Sequence, residues 1–131
     1  MIDVTAALIR KNGRVLICRR PEGKEYAGLW EFPGGKVEKG ETLENCLIRE
    51  CREELGFTAS PVRLTAVSEG AGAGSRVRLH FFVCDIAEGE PKALEHSAIR
   101  WILPQETGEY VFCESDAAML RAHSLSECLN D

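Results

Sequence analysis

No apolar run in this 131-residue chain approaches the roughly 20 residues that a membrane-crossing helix needs, and the first residues lack a signal-peptide pattern. Basic charge does not prevail either: 16 Lys and Arg stand against 21 Asp and Glu, a net charge of −5. The isoelectric point is about 5.3. A phosphate polymer is gripped by a basic surface, so the balance argues against a nucleic-acid coat as well as a membrane partner. It does not exclude a single nucleotide, because metal ions can supply positive charge locally. The cysteines at 18, 46, 51, 84, 113 and 128 form no C-x-x-C pair and have no zinc-like spacing with the three histidines. They read as reduced thiols, several of them buried, in a cytoplasmic protein. The length suits one domain, residues 1–131, with a proper core.

What the chain does have is a glycine-rich loop that runs into an acid-rich helix, Gly34 to Phe57. Thr42 is an acceptable N-cap, nothing from Leu43 to Leu55 breaks a helix, and Gly56 supplies the stop. At about 100° per residue, Leu47, Ile48, Cys51 and Leu55 gather on the core side. Glu50, Glu53 and Glu54 stand at i, i+3 and i+4 on another side, where like charges cost roughly 0.2–0.5 kcal/mol per pair and oppose the helix dipole. Arg49 and Arg52 offset part of this. Carboxylates gathered this way take up protons or find a cation, and hard oxygen donors suit Mg²⁺ or Mn²⁺ shared with substrate phosphates.

Gly35, five residues, Glu41, seven residues, Arg49-Glu50, one residue, Arg52, Glu53-Glu54, Leu55, Gly56 and Phe57 resemble the Nudix box. Cys51 departs from the aliphatic residue usual there, and a buried thiol is a small hydrophobe. Seven fixed identities at roughly 6% usage each make a chance match about one in a million or rarer. The preceding Trp30-Glu31-Phe32-Pro33-Gly34-Gly35-Lys36 is similar to the same passage in MutT-like nucleoside triphosphate pyrophosphohydrolases, and the chain resembles them from first strand to last helix. That resemblance implies an α/β/α sandwich, a mixed β-sheet with the box helix on one face and the C-terminal helix on the other.

It also implies an activity: Mg²⁺-dependent hydrolysis of a (deoxy)nucleoside triphosphate to the monophosphate and pyrophosphate, as in nucleotide-pool sanitation. Oxidised dGTP and CTP or a modified dCTP are the candidate substrates. Another nucleoside diphosphate derivative, or a nucleotide sensor without turnover, is the alternative. Glu50, Glu53 and Glu54, with the Gly34 carbonyl, would hold the divalent ions, and one of these glutamates would take the proton. Arg49, one turn before Glu53, would orient it; Glu41 would brace the loop. Lys36 or Arg20 would stabilise the leaving pyrophosphate. Gly35 lets backbone approach a ligand closely, lacking a Cβ.

Other positions keep two readings. Phe32 lies by the nucleobase pocket or is a core phenylalanine. Arg20 holds phosphate or base, or is a solvated strand end. Glu95, six positions before Trp101, binds a further metal or relays a proton, or is a solvated loop residue. His80 is a strand histidine or touches the base. Asp116 caps a helix or reads a base edge, favouring an exocyclic amino group when ionised and an oxidised guanine when protonated. Cys46 is expected to pack on the glycine loop. Elsewhere the pattern predicts strands Val4–Arg10 and Arg14–Cys18 joined at Asn12-Gly13, strands at Val62–Glu69, Arg76–Ile86 and Ala98–Leu103, a flexible link at Gly70–Gly74, and a helix over Ser115–Cys128. The chain is expected to be a monomer or homodimer.

Overall fold

The computed structural model describes residues 1–72 and 75–130. Strands β1 (Ile2–Lys11) and β2 (Arg14–Arg19) form the expected hairpin. Asn12 and Gly13 both take positive φ, 52° and 76°, which matches the turn twist to that of the strands. Two short strands, β3 (Trp30–Glu31) and β4 (Gly34–Lys36), precede helix α1 (Leu43–Leu55). Then come β5 (Thr58–Gly72), β6 (Ser75–Glu88), β7 (Ala98–Ile102), a 3₁₀ turn at Pro104–Glu109, and helices α2 (Glu114–Ala122) and α3 (Leu125–Leu129).

β1 is the spine of the sheet. One edge pairs in parallel with β6, Ile2 opposite Val77 through Ile9 opposite Cys84. Its other edge is divided: β4 takes residues 4–6, and β2 takes residues 10 and 11. β3 and β7 both pair with β2, and β5 lies outside β6.

Strand alternation sends one set of side chains to each face. Ala6 and Leu8, Val15 and Ile17, Leu79 and Phe81 join Met119, Leu125 and Cys128 beneath α2 and α3. Ala7 and Ile9, Leu16 and Cys18, Phe82 and Cys84 pack with Leu47, Cys51 and Leu55 of α1. The mixed sheet therefore sits between helices, an α/β/α sandwich as expected.

Three details differ from the sequence expectation. Gly70–Gly72 extend β5 opposite Val77, Arg76 and Ser75 instead of linking flexibly; Ala73 and Gly74 of that stretch lie outside the described residues. A Cβ on Gly70 would sit 2.8 Å from the Ser115 hydroxyl, so the glycine permits α2 to approach the sheet. The C-terminal helix is broken: His123 ends α2 and the Ser124 side chain caps α3 by accepting from the Glu127 N–H. β5 begins four residues early and carries three bulges, which let a strand containing Pro61 stay paired.

The glycine loop is pressed against β1. A Cβ on Gly34 would lie 1.8 Å from the Thr5 carbonyl oxygen, and the Pro33 carbonyl accepts from the Ala7 N–H at 2.7 Å. Gly34→Ala should therefore cost roughly 1–3 kcal/mol through overpacking, read as a lower urea midpoint. An unchanged midpoint would mean that the loop can lift off β1 freely.

Candidate active site

Helix α1 starts and stops where its sequence dictates. The Thr42 hydroxyl accepts from the Asn45 N–H, and Gly56 closes the helix in the left-handed conformation with its N–H on the Arg52 carbonyl. Arg49 ties this helix to the loop before it. Its Nε donates to Glu41 Oε2 at 2.7 Å, Nη2 to the Lys36 carbonyl at 3.1 Å, and Nη1 to Glu50 Oε1 at 2.7 Å and Glu53 Oε2 at 3.3 Å. The guanidinium holds the Glu41 carboxyl down at about 2, helped by the Glu38 N–H, and the carboxylates in turn raise Arg49. Glu41 thus braces the loop. Cys46 packs under it as expected, its Sγ 3.3 Å from Thr5 Oγ1 and 3.4 Å from the Lys36 carbonyl oxygen.

Glu50 fills the space that a side chain on Gly35 would need: a Cβ there would lie 2.4 Å from the Glu50 carboxyl carbon. Glu54, one turn on, is largely buried. Desolvation first, then its hydrogen bond to Glu50 and the charges of Glu50, Glu31 and Glu95, push its carboxyl up to about 10. At neutral pH Glu54 is a neutral acid, and its Oε1 has no hydrogen-bond partner.

Two residues that the sequence did not single out complete this corner. The loop after β6 hydrogen-bonds the last carbonyls of α1, Lys92 N–H to Leu55 and Leu94 N–H to Glu54, satisfying groups that a helix end leaves open. This brings buried His96 beside Glu54, with Nε2 3.9 Å from Glu54 Oε1 and 2.9 Å from Glu31 Oε2. Arg20 pairs with the other Glu31 oxygen at 3.2 Å. Glu31 and His96 meet because β3 and β7 flank the end of β2. The one signal for Glu31 was an acid set between Trp30 and Phe32; for His96 it was adjacency to Glu95.

These residues border a cleft with two lobes. One, of about 320 Å³, is lined by Gly34, Gly35, Lys36, Glu54, Glu95 and His96 among others. The second, of about 210 Å³, is lined by Phe32, Leu79, Cys113 and Asp116 among others. Arg20, Glu31, Gly34, Val4 and Val77 border both. The cleft thus gathers Arg20, Phe32, Gly34, Gly35, Lys36, Glu54, Glu95 and Asp116 from the expected set. Glu50 and Glu53 lie beside it on the Arg49 side and do not line either lobe.

His80 is placed elsewhere. It faces the α1 side of the sheet with Phe82 and hydrogen-bonds Asp3 at 2.9 Å, while its neighbours Val77 and Leu79 line the cleft. Asp116 is not the helix cap: Cys113 occupies that position without a side-chain bond. Asp116 is instead buried, and its Oδ1 accepts from the Phe32 N–H at 3.3 Å. Burial, then the nearby Glu31, holds its carboxyl well above the usual carboxylate range.

The donor set fits a divalent cation. Carboxylate oxygens, an orphaned oxygen on Glu54 and bare glycine backbone suit an ion shared with substrate phosphates and water. Among the described residues no three His, Cys, Asp or Glu side chains close into a cage by themselves. The reason is visible in Arg49, whose guanidinium stands between Glu41, Glu50 and Glu53.

Residues 1–122, which hold both the box helix and the cleft beside it, match the NUDIX domain family, and the chain belongs to it. It is an enzyme of that kind, a Nudix-type pyrophosphohydrolase acting on phosphoanhydride bonds, and hydrolases of this family work with divalent metal cations. The chain is 38% identical to the CTP pyrophosphohydrolase of Escherichia coli strain K12 over 122 residues, covering 93% of this chain and 90% of that protein. It is 33% identical to the 8-oxo-dGTP diphosphatase of the same organism over 102 residues, 77% of this chain and 79% of that one. The crystal structure of the MutT protein from Methanosarcina mazei Go1 superimposes with a TM-score of 0.82 at 27% identity, covering 92% and 91% of the two chains. No helix among the described residues is long and apolar enough to cross a membrane.

Glu54 keeps its proton in the fold up to about pH 10, whereas the unfolded chain releases it near 4.5. Between those values unfolding releases a proton, so stability falls as pH rises. Asp116, shifted the same way, adds to the slope. In metal-free buffer the melting temperature should drop from about pH 5 to about pH 9, and Glu54→Gln should flatten that drop. Equal slopes for the two proteins would mean that Glu54 is ionised in the fold.

Proposed function

We propose that the chain hydrolyses (deoxy)nucleoside triphosphates to the monophosphate and pyrophosphate, with Mg²⁺, or Mn²⁺ in its place. The observation that carries this is the two-lobed cleft. Its first lobe has glycine backbone, Lys36 and carboxylates suited to a polyphosphate with its cation, and its second sets Asp116 beside Phe32, Leu79 and Tyr26, suited to a base. Glu50, Glu53, Glu54 and the Gly34 carbonyl, with Glu95 on the rim, are the residues to hold the divalent ion. When bound, the ion supplies Lewis acidity, neutralising phosphate charge and activating water. The chain does the rest. Gly34 and Gly35 let the loop lie close against Thr5 of β1 and the Glu50 carboxyl, and Lys36 and Arg20 offset the charge that develops on the leaving pyrophosphate. Arg49 fixes the orientation of Glu50 and Glu53. Glu53, far more exposed than Glu41 and Glu50 on the same guanidinium, accepts the proton from the attacking water, with Glu95 the alternative acceptor.

Burial opposes ionisation of Asp116 and its Oδ1 already accepts from Phe32, so in its protonated form it offers an O–H to the base. That donor matches the O6 carbonyl of a guanine, oxidised or not, better than the exocyclic amino group of cytosine, which favours the dGTP-type substrate of nucleotide-pool sanitation over CTP. CTP or a modified dCTP is the second reading, favoured by the 38% identity to the CTP pyrophosphohydrolase. Pyrophosphate release from 8-oxo-dGTP, dGTP, CTP and dCTP separates them: kcat/KM highest on 8-oxo-dGTP supports the first reading, and highest on CTP or dCTP the second. Binding without release from any of them would identify a sensor.

Two substitutions follow. Glu53→Gln should lower kcat by about two orders of magnitude or more with the melting temperature kept, and an unchanged rate at saturating Mg²⁺ would refute its role. Asp116→Ala should narrow the gap in kcat/KM between preferred and other nucleotides by roughly tenfold. Equal losses on every nucleotide would leave Asp116 a structural partner of Phe32 alone.

A further inference from the structure

The base lobe contains an aromatic side chain that no motif accounts for. Phe32 was the expected neighbour of a base, but its ring stacks on Phe112, with centroids 5.6 Å apart, and meets Phe81 edge to face at 6.2 Å. At 4% exposure it has no free face to offer. The other aromatic residue lining this lobe is Tyr26, which is 52% exposed.

Tyr26 sits on a loop with a closed neck. The Arg20 N–H donates to the Leu29 carbonyl and the Gly28 N–H to the Arg20 carbonyl, both at 2.9 Å. Arg20 Nε donates to the Glu25 carbonyl at 2.6 Å, while its Nη1 reaches Glu31 between the two lobes. The loop therefore hangs from a cleft residue. Tyr26 itself has φ of 61°, a left-handed backbone that a bulky side chain rarely adopts. Such positions persist where the surroundings impose them and cluster at ligand sites.

We propose that Tyr26 is the stacking platform for the nucleobase, its phenol ring supplying the aromatic face that Phe32 has already given to Phe112. The inference rests on the nucleotide reading above and assigns a base-binding residue outside the Nudix box and the Trp30–Lys36 passage. A ring face is indifferent to the pattern of donors and acceptors on a base, so Tyr26 contributes affinity for any base while Asp116 discriminates among them.

The test compares wild type with Tyr26→Ala, Tyr26→Phe and Tyr26→Gly in steady-state hydrolysis of the best nucleotide, with inhibition by inorganic pyrophosphate as a base-free probe. Losing a stacked ring should raise KM roughly five- to a hundredfold in the alanine variant, with kcat and the pyrophosphate inhibition constant unchanged. Phenylalanine should restore KM. Glycine should lose affinity like alanine, yet melt no lower than wild type because it relieves the backbone. A wild-type KM in the alanine or glycine variant overturns the proposal. So does pyrophosphate inhibition weakened as much as nucleotide binding, which would mark a collapsed loop. A wild-type protein that hydrolyses no nucleotide instead overturns the functional reading, and this inference falls with it.

Discussion

The site depends on what one guanidinium does among five acids. Arg49 touches Glu38, Glu41, Glu50 and Glu53 and the Lys36 carbonyl. It thereby fastens the glycine loop to the first half of α1 and cancels repulsion that would otherwise splay the carboxylates. Glu54 lies beyond its reach, in the sheltered corner with His96 and Glu31, and there the charge is removed by a proton instead. The helix thus resolves its acid cluster in two ways at once, with a cation on one side and a proton on the other. Both can yield to a metal ion: Arg49 leaves lone pairs on Glu50 and Glu53 free, and a neutral Glu54 can exchange its proton.

The same logic extends across the cleft. Asp116 and Glu54 are both acids whose ionisation is opposed first by burial, one in each lobe, and Glu31 pushes both further upward. Glu31 keeps its own place between Arg20 and His96.

How much of this was legible beforehand follows from the range of each interaction. Helix α1, its cap and its stop were readable because Thr42, the 3.6-residue periodicity and Gly56 are local signals. The two sheet faces were readable from the alternation of Val77, Leu79 and Phe81 against Phe82 and Cys84. The break at Ser124 was announced by Ser124 and Glu127, a capping pattern that apolar periodicity outweighed. What the sequence could not disclose depended on distant pairings. Glu31 and His96 meet across 65 residues, Phe32 loses its ring face to Phe112, and Asp116 turns from a cap into a buried acid because Phe32 lies above it. The same alternation puts His80 on the Phe82 face, but that the cleft opens on the other face, with Val77 and Leu79, depends on long-range packing.

The central claim is that the α1 carboxylates and the Gly34 loop face a polyphosphate together with its cation. Crystals soaked with Mn²⁺ and a non-hydrolysable nucleoside triphosphate, measured for anomalous scattering, test it most directly. The account predicts manganese peaks at ligand distance from Glu53, Glu54 and the Gly34 carbonyl, with phosphate oxygens on the same ions. Manganese bound elsewhere, or phosphates turned away from α1, would contradict it.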